Sequence, residues 1–237
     1  NLRINRTKIL IRMSRNIIVT GAAGNLGTAV VEKFKREGYH IIALVQPDKE
    51  EEVEEADDIY EVDVTDEKAV AEFVREYTMQ YGELDALAMI VGGFAMGGIT
   101  DTSQNDLDHQ LKLNFFSAFH LVKGFLPTMK NQKKGTLLFV GARPALEADG
   151  AVGKVAYSLS KKLIFDFVEI LGEETKETSI RSHIFVPSII DTPNNRESMP
   201  DADFTKWVAP KDIAEAMHFA VNTASLQNTI FKLYGEV

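Results

Sequence analysis

The segment that most restricts the fold is Asn16-Ile-Ile-Val-Thr20, a β-branched apolar run that halts at Gly21 and passes straight into a helical pattern. A short run without polar alternation reads as a strand buried on both faces, which is the habit of a parallel sheet. The helix that follows carries Leu26, Val30, Val31 and Phe34 on one face and stops near Gly38. The alternation then repeats to the end of the chain. Strands are expected at 41–45, 59–64, 84–91, 136–140, 180–186 and near 229–233. Helices are expected at 66–80, 103–130, 153–175 and 210–222. Strands separated by helices require right-handed crossovers, so the fold class is α/β with a single doubly wound parallel sheet covered on both faces.

Composition narrows the function more than the fold. The 237 residues are 45% hydrophobic and 26% charged, with a formal net charge of −9 that disfavours nucleic acid as a partner. There is no cysteine, and the five histidines show no paired ligand spacing, so neither a thiolate nor a zinc site is expected and metal is set to none. No apolar run approaches the ~18 residues of a membrane span. A cytoplasmic protein that takes a small-molecule substrate fits these features.

Residues 1–12 (NLRINRTKILIR) carry Arg3, Arg6, Lys8 and Arg12 without an acid. They are short for an organelle presequence and run directly into Met13-Ser14. They read as a non-native or disordered leader, which leaves residues 13–237 as one dinucleotide-binding catalytic domain.

Thr20-Gly-Ala-Ala-Gly-Asn-Leu-Gly27 lies at the first strand-to-helix junction, where a dinucleotide motif belongs. Gly21 permits the tight turn, Gly24 lets the backbone approach a pyrophosphate, and Gly27 lets the helix close on the sheet. Asn25 and Leu26 open the helix whose free N–H groups would meet the phosphates. A bare glycine turn would serve the connection equally well, so the context carries the inference. Asp63 and Val64 end the third strand, where the carboxylate can accept from an adenine amino group; Thr65 and Asp66 also suit a helix start. Gly92 and Gly93 after the fourth strand would admit a ribose, or form a plain loop.

The reactive groups fall on the two long helices. The apolar stripe of helix 103–130 runs Leu107, Leu111, Phe115, Ala118, Val122, Phe125 and Met129, and Asn114 shares it. A buried amide must have its hydrogen bonds met, so Asn114 taken alone reads as structural. Tyr157 and Lys161, at i and i+4, share a helix face. An ammonium held near the phenol would lower the tyrosine pKa from about 10 and give a proton donor usable near neutral pH.

Taken in this order, TGxxGxxG, Asp63, Asn114 and the Tyr157/Lys161 pair make the chain resemble the short-chain dehydrogenase/reductase family over nearly all of 13–237. The resemblance implies a Rossmann-like three-layer sandwich, NAD or NADP as cofactor, hydride transfer, and a homodimer or homotetramer. It implies Tyr157 as general acid/base, Lys161 as ribose ligand and tuner of Tyr157, and Asn114 as holder of a relay water. Pro187-Ser-Ile-Ile-Asp-Thr192 resembles the loop after the sixth strand, with Thr192 near the carboxamide. Two places depart from the family pattern. Met89-Ile-Val-Gly92 stands where Asn-Asn-Ala-Gly is usual, and Gly141-Ala142-Arg143 stands where a catalytic serine is usual. With Val91-Gly-Gly-Phe94 and the stretch 191–200, these resemble the dihydropteridine-reductase branch, which reduces a quinonoid ring.

Four further expectations follow. Ala142 offers no donor to a developing alkoxide, so conjugated, pterin- or quinone-like acceptors should outperform simple ketones. Ser158 and Ser160 should point away from the Tyr157–Lys161 stripe. Phe94 or Trp207 could stack on such a ring, with Phe94 more at home in the core. The second strand ends at Val45-Gln46 with neither an acid nor an arginine, and Asp48–Asp58 follows with eight acids and one base, which favours NADH over NADPH. A cofactor-sensing regulator without turnover is the alternative from another class, favoured by Ala142 and opposed by Tyr157 and Lys161. An epimerase or dehydratase is disfavoured for want of a substrate domain.

Overall fold

A computed structural model describes residues 14–47 and 53–236. The basic leader at 1–12 and residues 48–52 of the acidic run lie outside the described residues.

Among the described residues, seven strands form one fully parallel sheet. They are β1 (Asn16–Thr20), β2 (His40–Val45), β3 (Asp58–Glu61), β4 (Ala86–Met89), β5 (Lys134–Val140), β6 (Ser179–Pro187) and β7 (Ile230–Leu233), in spatial order β3-β2-β1-β4-β5-β6-β7. Ile18 aligns with Ile42 on one side and Leu87 on the other. The strand order reverses between β1 and β4, so a crevice opens at their carboxyl ends. Thr20 marks that point: its Oγ1 accepts the backbone N–H of Ile90 (2.9 Å) and Val91 (3.2 Å).

Helices cover both faces. Helices α1 (Asn25–Arg36) and α8 (Pro210–Asn222) bury Val30, Val31, Phe34, Ile213 and Met217 against one face. On the other face, α2 (Glu67–Gln80), α4 (Ser117–Gln132) and α6 (Val155–Thr175) bury Phe73, Tyr77, Phe125, Ile164 and Val168. The shorter helices are α3 (Gln104–Leu111), α5 (Ala148–Ala151) and α7 (Pro193–Ser198). No described helix is long and apolar enough to cross a membrane.

The expected single helix over 103–130 is divided. Residues 112–116 form a π-helical turn between α3 and α4, and such a turn inserts one residue and rotates what precedes it. The expected stripe therefore holds only after the turn. Ala118, Val122, Phe125 and Met129 are buried, whereas Leu107, Leu111 and Phe115 are half-buried, and the deeply buried residues before Ala118 include Gln110 and Asn114. The third and fourth strands are also shorter than the apolar runs, because their last residues turn out of the sheet to line the crevice.

Part of the acidic run has structural work. Asp57 accepts from Lys35 (2.6 Å) and from the backbone N–H of Ile41 (2.8 Å), and Asp58 lies 2.7 Å from His40 Nε2. Both sit at the amino end of β3, on the edge of the sheet away from the crevice.

Candidate active site

A cleft of about 610 Å³ follows the carboxyl ends of the central strands. Of the expected cofactor residues, Gly21, Gly24, Asn25, Leu26, Gly27, Asp63, Val64, Gly92 and Thr192 line it. Gly21 takes φ +60°, a conformation only glycine adopts without cost. A Cβ on Gly27 would fall 2.0 Å from the Gly21 carbonyl oxygen, so α1 approaches the turn more closely than any side chain permits. The free N–H groups at the start of α1 have no side-chain cap, which leaves them available to an anion.

At the far wall, Leu44, Val45 and Gln46 meet Val62 to Thr65, with His109 and Lys112 opposite. Asp63 Oδ1 accepts from the Thr65 N–H (2.9 Å) and hydroxyl (2.6 Å); the Thr65 hydroxyl is the main reason this carboxyl is held below its ordinary range. The helix cap is Asp66, through the Lys68 N–H, so Asp63 is not used as a cap.

Gly93, Asn114, Tyr157, Lys161 and Pro187 do not line this cleft, but the first four cluster at its end beside Gly92. A Cβ on Gly92 would sit 2.7 Å from Asn114 Oδ1 and 3.1 Å from Lys161 Nζ. Asn114 Nδ2 donates to the Gly93 carbonyl (3.0 Å), Gln110 Oε1 (2.9 Å) and Ser160 Oγ (3.1 Å), while its Oδ1 accepts the Gly93 N–H (3.0 Å). Both amide hydrogens are thus committed to protein. Pro187 ends β6 opposite Leu233, and Thr192 caps α7 by accepting the Asn195 N–H (3.2 Å).

Lys161 is buried and donates to the Val140 carbonyl at 2.9 Å. Burial pulls its pKa down to about 8 and pushes that of Tyr157 up to about 12. The expected lowering of the Tyr157 pKa is therefore not present in this state. The ammonium is engaged by Val140, and loss of hydration governs the phenol. The Tyr157 ring meets the Phe94 ring edge-to-face at 5.1 Å.

Three expectations need correction. Ser160 does not point away: at i+3 from Tyr157 it shares the inward face, is fully buried, and donates to the Tyr157 carbonyl (2.8 Å) while receiving Asn114. Phe94 is not in the core but 60% exposed. Trp207, the other stacking candidate, is buried against Phe204. Ala142 is buried two residues beyond β5, and the Ser188 hydroxyl, which donates to the Tyr234 carbonyl (2.6 Å), cannot replace the missing one. Gln110 was missed altogether, although a polar residue one turn before Asn114 is a signal the sequence carries.

The family model for short chain dehydrogenases matches residues 15–203. The chain belongs to the short chain dehydrogenase family. It is an NAD(P)-dependent oxidoreductase with a Rossmann-like sheet. Among curated proteins, "Dehydrogenase/reductase SDR family member 6" of Rattus norvegicus is 28% identical over 80% of this chain and 77% of its own. The Danio rerio protein of that name is 27% identical over 90% and 91%. Among solved structures, ElxO with NADP bound superposes with a TM-score of 0.86 at 20% identity, covering 94% of this chain and 98% of that one. Ligand-free aldohexose dehydrogenase of Thermoplasma acidophilum gives 0.80 at 21% identity, covering 94% and 93%. At these identities, the structures share the fold of this short-chain dehydrogenase.

Proposed function

We propose that this short-chain dehydrogenase reduces a small conjugated acceptor, pterin- or quinone-like, in preference to a simple carbonyl. The observation that carries the reading is an exposed Phe94 packed on Tyr157, in a chain whose Ala142 offers no hydroxyl after β5. A saturated ketone needs two donors on its developing alkoxide, and losing one costs about 3 kcal/mol of transition-state stabilisation. A ring already primed for hydride needs less help at oxygen and gains from an aromatic neighbour.

The cradle fits a dinucleotide. Gly21, Gly24, Asn25, Leu26 and Gly27 would hold the pyrophosphate, Asp63 and Val64 the adenine, and Gly92, Gly93, Pro187 and Thr192 the nicotinamide half. The nicotinamide, when bound, supplies a hydride. Tyr157 gives its hydroxyl proton to the acceptor oxygen. Lys161 would hold the ribose and stabilise the phenolate left behind. Asn114 is a positioning residue: it fixes Gly93 and, through Ser160, the turn of α6 that bears Tyr157. The likeness to the dihydropteridine-reductase branch rests on Val91–Phe94 and Ala142, whereas the curated relatives above bear another name.

NADH is the preferred donor, because Val45 and Gln46 at the end of β2 offer no guanidinium to a 2′-phosphate. The structural neighbour ElxO binds NADP, and among the described residues Lys112 is the cation in the cleft wall of this chain that a 2′-phosphate would have to use. The π-turn before α4 and the outward face of α6 carry exposed Phe116, Leu163 and Ile170, which suits a homodimer or homotetramer. Absence of cysteine agrees with a reducing cytoplasm.

One experiment tests the reading. Calorimetric titration with NADH and NADPH is followed by turnover of quinonoid dihydropterin, benzoquinones and aliphatic ketones with the tighter donor. Conjugated acceptors are expected to dominate. Efficient turnover of an aliphatic ketone, with none of any conjugated acceptor, overturns it. Tenfold tighter NADPH reverses the donor assignment. Binding without turnover of any acceptor favours a cofactor-sensing regulator.

A further inference from the structure

Beside Tyr157 lies an apolar ledge that the chemistry so far does not use. Phe94, Met96 and Val152 are 60%, 70% and 78% exposed. They come from two segments sewn together by the backbone: the Gly97 N–H donates to the Gly153 carbonyl (2.8 Å), and the Val155 N–H donates to the Gly97 carbonyl (3.0 Å). Met96 Cε lies 3.9 Å from where a Gly153 Cβ would be. The ledge therefore runs outward from the Tyr157 ring through Phe94 and Met96 to Val152. Lys154, two residues after Val152, spends its ammonium on the Gly150 carbonyl at 2.9 Å.

Single exposed apolar residues are ordinary, but a set that starts against the ring of the reactive tyrosine marks a binding surface. Its continuity with Tyr157 indicates what covers it. A molecule that presents its reacting oxygen to Tyr157 extends over this ledge if it is longer than one ring. A polar pterin gains nothing there, whereas an alkyl chain gains with every methylene withdrawn from water.

We propose that the ledge seats an apolar chain borne by the conjugated ring, so that the substrate class is an alkyl-substituted quinone. This rests on the conjugated-acceptor reading above. The balanced step is transfer of one hydride from the nicotinamide and one proton from Tyr157 to the quinone, giving the hydroquinone and the oxidised nicotinamide, after which solvent returns a proton to Tyr157.

The test uses the whole protein with NADH and two acceptors of the same ring, 2,3-dimethoxy-5-methyl-1,4-benzoquinone and its 6-decyl derivative. KM for the decyl compound is expected to be at least about tenfold lower. The Met96→Ser/Val152→Ser double variant, which leaves Tyr157 and the cleft intact, should abolish that difference while keeping kcat and the KM of the tail-free ring. Equilibrium dialysis of the decyl quinone against both proteins, without cofactor, should show the same loss of binding. Equal KM values, or a variant that retains the preference, overturn the ledge and leave the conjugated-acceptor reading standing. Failure of both rings alongside reduction of aliphatic ketones overturns both. Sedimentation of the variant at a lower mass than the parent assigns the ledge to a second copy of the chain and also overturns it.

Discussion

The floor of the active site and its rim are built on opposite principles, although both touch Tyr157. The floor, Gln110, Asn114, Ser160 and Lys161, is polar and buried, and its members are tied to one another or to backbone carbonyls. The rim, Phe94, Met96 and Val152, is apolar and exposed, held by its backbone while its side chains reach into solvent. A buried polar network tolerates little change, because each orphaned group carries its full desolvation penalty. An exposed apolar set can be exchanged at little cost to folding. The floor is where chemistry is fixed, and the rim is where substrate choice is adjustable.

The largest expected effect tests the point where the two meet. Tyr157→Phe keeps the ring on Phe94 and removes only the proton, so kcat should fall at least ~10²-fold with cofactor affinity unchanged. A variant with full turnover would show that the proton comes from elsewhere in the floor.

Next is the floor's own charge. Lys161 has its pKa drawn down to about 8 by burial, so the ammonium is lost as pH rises through that value. The kcat/KM of the parent should fall on the alkaline side of about 8, and Lys161→Ala should remove that limb, weaken cofactor binding and lower turnover. A pH profile with the same limb in the variant would detach it from Lys161.

The smallest effect sharpens the contrast in stability. Asn114→Leu strands the Gly93 N–H and its carbonyl and deprives Gln110 and Ser160, at about 1–3 kcal/mol for each buried group left without a partner. Val152→Ser on the rim should stay within about 0.5 kcal/mol of the parent. Denaturant midpoints of the two variants decide the matter; comparable losses would erase the distinction between floor and rim.

How far each region was legible follows from the range of its signals. The β1 run, the glycine turn and the Tyr157/Lys161 spacing are local patterns, and β1 spans the same residues in the structure as in the apolar run. The sheet order could be narrowed by rules of connection but not its register. The meeting of Asn114 with Ser160 joins positions 46 apart across two helices, and nothing in either neighbourhood announces it. The π-turn was hidden because a helical stripe drawn at constant pitch absorbs one extra residue without visible fault. Phe94 was misjudged because hydrophobicity predicts burial on average and is silent about the few residues left outside. The pKa of Tyr157 was misjudged because spacing places two side chains on one face without saying what else claims the ammonium.

The backbone bonds of Gly97 to Gly153 and Val155 have a consequence for divergence. They fasten the loop carrying Phe94 and Met96 to Gly153, just before α6, and to Val155, its first residue, four and two positions ahead of Tyr157. A lineage, or an engineer, that remodels the loop to admit a new molecule also moves the start of the helix that delivers the proton. Graftable loops here are those that preserve this short parallel bridge: side chains along the ledge can change without touching it, whereas an insertion or deletion between Gly92 and Gly97 shifts the start of α6.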